Sequence, residues 1–192
     1  MSPPQFARFA GGEAGDWVIE RSTTVCGDGL PSASRLSIIE SRKGEEPAGA
    51  RWVLNGVAGH LRYVNADERK TLGARQEALG RREATCAALI PIRKSAAWWD
   101  LAQDERRYIF EERSRHIRIG LEYLPSIARR LYHCRDLGEP FDFLTWFEYA
   151  PQHAEAFEEL VGRLRETEEW SYTEREVDIR LRRLEPAAAR ED

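Results

Sequence analysis

Residues 116–133 read HIRIGLEYLPSIARRLYH, and the change of pattern at Pro125 decides how the second half of the chain folds. Before the proline, Ile109, His116, Gly120 and Tyr123 recur at spacings of three, four and seven, the period of a helix face. After it the residues alternate as in a strand. Proline disfavours helical geometry in the residue before it, so the helix is predicted to stop near Leu124 and the chain to double back. His116 stands eight residues before that end, about 12 Å at helical rise, and Arg129 four residues past Pro125, about 13 Å at strand rise. One imidazole and one guanidinium therefore fall at the same height on adjoining elements. Gly120 lies one turn beyond His116, and a glycine inside a helix costs about 1 kcal/mol relative to alanine. Its presence suggests that something flat approaches that face. A core histidine, a close-packed glycine and a surface arginine would explain the same spacing.

Around this stretch the pattern is regular. Glu83 to Arg93 reads as a strand, and Ser95 can cap a long helix to Leu124. Ile127 to Arg135 is the next strand, and LGEP makes a turn. Phe141 to Tyr149 is a strand with apolar or aromatic residues on both faces, which suits a sheet covered on both sides. Pro151 can open a helix whose Ala154, Phe157, Val161 and Leu164 form one stripe. Val177, Ile179 and Leu181 then alternate with Asp178, Arg180 and Arg182. The order β-α-β-β-α-β is that of a ferredoxin-like unit, an α+β fold.

The first half is sparser. Residues 1–14, rich in Pro, Gly and Ala, are expected to be loosely held. Trp17 to Val25 and Leu36 to Glu40 read as strands about the turn-forming CGDGLPSAS, and SRKGEEPAG is a second flexible piece. From Arg51 to Val64 the alternation is loose, with Trp52, Leu54, Val57, Leu61 and Tyr63 as candidate buried positions. Asn65 and Glu68 resemble a capping box, opening a helix to about Gly80. The expectation is two ferredoxin-like (dimeric α/β-barrel) halves. They comprise a truncated N-terminal half at 1–82, a complete C-terminal half at 83–184 and a tail at 185–192, with no visible sequence repeat relating the halves.

The bulk numbers exclude several classes. The chain has 192 residues, 42% hydrophobic and 32% charged, with a net charge of −4, which argues against a nucleic-acid binder. Cys26, Cys86 and Cys134 are odd in number and widely spaced, so neither a disulfide framework nor a CxxC site is present. No run approaches the roughly 18 apolar residues of a membrane span, and the N-terminus lacks a signal-like apolar core. A cytoplasmic protein without membrane contact is expected.

Generic catalytic motifs are absent: there is no nucleophile elbow, HExxH, phosphate-binding glycine loop or dinucleotide fingerprint. GDG near Cys26 is a turn, and His60, His133 and His153 are isolated from one another. IPIRKSAAWWD places Arg93 and Lys94 at a strand end, followed by two tryptophans in the first turns of a helix. That is either ordinary packing or a rim where cations meet carboxylates and indoles line a pocket, as haem propionates require. RETEEW is either a solvated helix end or a source of a carboxylate at the mouth of the last strand.

Taken together, IPIRKSAAWWD, His116 with Arg129 thirteen residues on, PFDFLTWFEYAP and RETEEW resemble the chlorite dismutase family, and most of all its short subgroup from nitrite-oxidising bacteria. The likeness is nearly continuous from about Gly56 to Arg183. It implies haem b in the C-terminal half, with His116 as proximal iron ligand and Glu169 hydrogen-bonded to its other ring nitrogen. It implies Arg129 as the distal arginine, and Tyr63, Lys94, Trp98 and Trp99 at the haem edge or its propionates. The implied reaction converts chlorite to chloride and dioxygen, by oxygen transfer to ferric haem and O–O bond formation with a retained hypochlorite fragment. Arg129 would hold that fragment. The short subgroup implies a homodimer.

Other readings stay open on the sequence. Coproporphyrin-handling enzymes of haem synthesis share the fold and the proximal histidine but often carry glutamine at the distal position. A peroxidase, a non-catalytic haem-binding module and a haem-free small-molecule binder are the remaining alternatives.

Overall fold

The computed structural model describes residues 6–40, 47–59, 65–75 and 77–184. Its strands are β1 (Phe6–Gly12), β2 (Trp17–Cys26), β3 (Arg35–Ile39), β4 (Trp52–Ala58), β5 (Cys86–Lys94), β6 (Ile127–His133), β7 (Phe143–Tyr149) and β8 (Thr173–Arg183). They close into an antiparallel barrel in the order β1-β3-β2-β8-β5-β7-β6-β4. With α1 (Ala66–Arg75), α2 (Ala96–Asp100), α3 (Gln103–Arg107), α4 (His116–Glu122) and α5 (Ala154–Arg165), the fold is α+β. Among the described residues no helix is long and apolar enough to cross a membrane.

Strand alternation explains the core, because successive side chains point to opposite faces. Phe9, Trp17, Leu36, Leu54, Tyr132, Leu144, Trp146, Val177, Ile179 and Leu181 share one cluster drawn from strands all round the barrel. Phe9 meets Tyr132 edge-on with ring centroids 5.2 Å apart, and Trp17 meets Trp146 at 5.1 Å. On the other face of β5, β6 and β7, Ala88, Ile90, Ile92, Ile127, Phe147 and Tyr149 lie under Phe157, Leu160, Val161 and Leu164 of α5 and Ile119 of α4. The two-sided character expected of β7 is thus found: Leu144 and Trp146 face one core, Phe147 and Tyr149 the other. Each large apolar side chain buried in this way contributes about 1.5–3 kcal/mol.

Four expectations fail. The N-terminal segment is not loose throughout, since Phe6–Gly12 is a strand paired on both edges, with β3 and β4. Its small residues serve packing, because a Cβ on Gly11 would lie 2.0 Å from the Trp52 indole. The helix from Asn65 ends at Arg75, and Gly80 instead takes φ +83° in the following turn. The capping box itself is present, with Glu68 N–H donating to Asn65 Oδ1 (2.9 Å) and Asn65 N–H to Glu68 Oε2 (2.8 Å). Val57, placed inside by its apolar character, has the opposite parity to Trp52 and Leu54 and is only half-buried. Leu61 lies outside the described residues.

The fourth failure bears on the site. Ser95 to Leu124 is not one helix but α2, α3, a π-helical turn (Tyr108–Arg113) and α4. Leu101 and Ala102 are extended, and Glu105 restarts the helix by accepting the Ala102 N–H at 2.7 Å. Arg115 then takes φ +54°, so α4 begins afresh at His116. It stops at Glu122, two residues before the predicted end, ahead of a cis Leu124–Pro125 bond.

Candidate active site

His116 is the first residue of α4, and its Nδ1 lies 2.7 Å from Oε2 of Glu169. Glu169 sits in a 3₁₀ turn (Glu168–Tyr172) between α5 and β8. The other oxygen, Oε1, receives the Lys94 ammonium at 2.7 Å. Burial alone would push the Glu169 carboxyl up, but the charges of Lys94 and His116 outweigh it and hold it down at about 2. A carboxylate at Nδ1 leaves Nε2 as the ring nitrogen available to a ligand, and strengthens it as a donor.

Lys94, expected at the edge of a haem, is instead enclosed behind the histidine. Besides Glu169 Oε1 its ammonium bonds the Glu169 carbonyl (3.0 Å) and Thr173 Oγ1 (3.2 Å), at 4% exposure. A strand end that turns inward, rather than a solvent rim, accounts for the difference. Asp142 fixes that end: its Oδ2 accepts the Lys94 backbone N–H (2.7 Å) and the Trp99 indole N–H (3.1 Å).

The structure separates the two tryptophans. Trp98 is buried, with the Lys94 ammonium 5.1 Å from its ring and Tyr172 at 5.4 Å. Trp99 turns to Asp142, stacks on Phe143 and lies under the Arg135 guanidinium at 4.1 Å. Successive residues of a helix point about 100° apart, so only one of an adjacent pair can face the histidine cluster. Tyr63 lies outside the described residues.

Arg129 is on β6, on the same face as Ile127, towards α4 and α5. Its guanidinium lies over Gly120, where a Cβ would come within 2.5 Å of Nη1. Burial pulls its pKa below the usual arginine value, yet the group stays a cation at any working pH. Gly120 thus presents bare backbone towards Arg129 one turn after His116, a surface that a planar ligand could approach.

Four contributors escaped the sequence reading. Phe110 stacks on the His116 imidazole (4.4 Å, 25°), Ser114 accepts the Glu169 amide (2.9 Å), Asp142 anchors Lys94, and Trp170 donates to Glu176 at 2.7 Å. Phe110 precedes His116 by six residues, off the face of a regular helix, and the π-helical turn together with the left-handed Arg115 brings it there. The lone acidic residue between two phenylalanines in PFDF was a usable signal for Asp142.

The family model described as chlorite dismutase matches residues 39–183. The chain belongs to the chlorite dismutase family. A chlorite dismutase from Ideonella dechloratans is 31% identical over 97 residues, 50% of this chain, and the match spans only a third (33%) of that protein's length. The crystal structure of dimeric chlorite dismutases from Nitrobacter winogradskyi is 60% identical, covers 93% of this chain and 99% of its own, and superposes with a TM-score of 0.88. The chlorite dismutase of Candidatus Nitrospira defluvii, solved in complex with imidazole, is similar in fold at 21% identity and a TM-score of 0.67, with 92% and 90% of the two chains covered.

Proposed function

We propose that the protein is a haem b enzyme that converts chlorite to chloride and dioxygen. The observation that carries this reading is an imidazole whose Nδ1 is held by a buried carboxylate, on a helix whose next turn lies bare under a guanidinium. Family membership and the 60% identical relative support it.

The residues fit haem. His116 would ligate iron through Nε2, Glu169 would hold Nδ1, and Gly120 would let the ring approach the helix. Trp98 would line the edge of the ring, and Trp99 and Tyr63 are proposed at its periphery. Bound haem supplies the iron that accepts chlorite and the redox change that moves its oxygen. Glu169 keeps the Nδ1 proton shared and the imidazole a strong donor, while Lys94 compensates the buried carboxylate. Arg129 would bind the oxyanion through its planar fork of donors and hold it, and any fragment derived from it, oriented in the site.

Within the barrel we read two ferredoxin-like halves, 1–82 and 83–184. The C-terminal strands lie side by side as β8-β5-β7-β6 and the N-terminal ones as β4-β1-β3-β2, so each half has the order fourth, first, third, second. The N-terminal half joins β1 to β2 without a helix, which is the sense in which it is truncated. A homodimer is supported by the dimeric state named for the Nitrobacter winogradskyi relative. Three free cysteines fit a reducing cytoplasm.

The test is oxygen evolution from haem-loaded protein given chlorite. One dioxygen per chlorite is expected, with Arg129→Ala losing yield and durability while keeping haem, and His116→Ala losing haem. A haem-loaded wild type that releases no oxygen overturns the reading, and peroxide and coproporphyrin become the substrates to try.

A further inference from the structure

Resting on the reading of His116 as iron ligand, we propose that Ser114 is a positioning residue: by accepting the Glu169 amide, its hydroxyl fixes the carboxylate that orients His116.

Ser114 is 4% exposed and follows the π-helical turn. Its Oγ accepts the Glu169 N–H at 2.9 Å, and two residues later His116 Nδ1 meets Oε2 of the same glutamate at 2.7 Å. Ser114, Arg115, His116 and Glu169 therefore form a ring that two hydrogen bonds close. Neither the histidine nor the carboxylate can shift without straining the other link.

Lys94 meets the other carboxylate oxygen of Glu169, Oε1, and its backbone carbonyl. These contacts hold Glu169 to the end of β5 but do not tie it to the segment that carries His116. Ser114 supplies that tie.

The rest of the turn supports the same geometry. Ser114 N–H reaches back to the Ile109 carbonyl (3.0 Å), the long-range bond of a π turn, and Arg115 N–H bonds the Glu111 carbonyl (2.9 Å). The Glu111 carboxylate caps α4 by accepting the Ile117 N–H at 2.7 Å. Arg115 is held at φ +54° between these links. A left-handed non-glycine residue persists only where its surroundings over-determine it, and π turns inserted in α-helices recur at functional sites. The insertion also brings Phe110 onto the imidazole face.

The test compares haem-loaded wild type, Ser114→Ala and Ser114→Thr by the iron–histidine stretch of the ferrous form in resonance Raman and by the ferric/ferrous midpoint potential. Ser114→Ala leaves the Glu169 amide unaccepted and lets the carboxylate drift from Nδ1. The stretch should move to lower frequency and the potential should rise, and Ser114→Thr, which keeps an Oγ, should return both towards wild type. A Ser114→Ala protein with wild-type frequency and potential overturns the proposal, even if its thermal stability falls. If Ser114→Ala does not fold, Ser114→Cys replaces it, since sulfur is a weak acceptor; a downshift supports the proposal and an unchanged stretch overturns it. A wild type without any iron–histidine stretch overturns the ligation reading itself, an outcome distinct from an unchanged variant beside a normal wild type.

Discussion

Lys94 and His116 grip the two oxygens of one buried carboxylate, Oε1 and Oε2 of Glu169, each at 2.7 Å. A lysine from the end of a strand and a histidine from the start of a helix are thereby joined through a residue more than fifty positions away from either. Breaking a buried pair by removing one partner costs about 3–5 kcal/mol, because the other charge stays buried uncompensated. Lys94→Met should therefore lower unfolding free energy by about 3 kcal/mol and weaken haem retention. Urea denaturation of the apoprotein and transfer of haem to a scavenger globin read the two effects separately.

Gly120→Ala tests the approach of a flat ligand to α4. Alanine favours a helix by about 1 kcal/mol over glycine, and the new methyl meets only the movable end of Arg129. The apoprotein should melt at or above the wild-type temperature, while haem titration followed at the Soret band should show weaker binding. Unimpaired haem affinity would remove Gly120 from the site.

Glu148 is 5% exposed and accepts the Trp146 indole (2.9 Å) and the Gly80 amide (2.6 Å), with Arg183 at 3.4 Å. Glu148→Ala leaves the buried Trp146 indole N–H without its acceptor, at about 1–3 kcal/mol, and removes the acceptor of the Gly80 amide and one partner of Arg183. A drop of at least about 2 kcal/mol in urea unfolding is expected. Glu148→Gln, which still accepts, should lose less.

Acid sensitivity should trace in part to Asp178. Burial would raise its carboxyl pKa, but Arg180 and Arg165 outweigh burial and hold it below the ordinary 3.8. A depressed folded-state value contributes stability that is complete above the unfolded pKa and is lost as pH falls through the folded one. The contribution should thus be intact at pH 5 and fade below about 3.8. Asp178→Asn should be less stable than wild type near neutrality and lose less of its stability between pH 5 and pH 2, as measured by urea unfolding across that range.

What the sequence determined by itself is local or periodic. The alternation of Val177, Ile179 and Leu181, the Phe157, Val161 and Leu164 stripe, the Asn65–Glu68 box and the order of strands and helices after Glu83 all depend on spacing within a single element. Such patterns survive in the chain whatever the element packs against. The residue types at 116, 129 and 169 were also legible, because a histidine, an arginine and a glutamate in that order carry a family likeness.

Tertiary structure alone decided the rest. Phe6–Gly12 is a strand because β3 and β4 supply partners on both its edges, which no local propensity records. Within the helix expected from Ser95 to Leu124, the π turn and the break at Arg115 stand where Phe110 stacks on His116 and Ser114 accepts the Glu169 amide, and those contacts outweigh the few tenths of a kcal/mol per residue at stake in helix propensity. Lys94 serves the histidine rather than a rim because β5 ends beside the 3₁₀ turn carrying Glu169. Each of these outcomes turns on a hydrogen bond or ring contact between residues remote in sequence or off any helical period, and such contacts exist only once the barrel has closed.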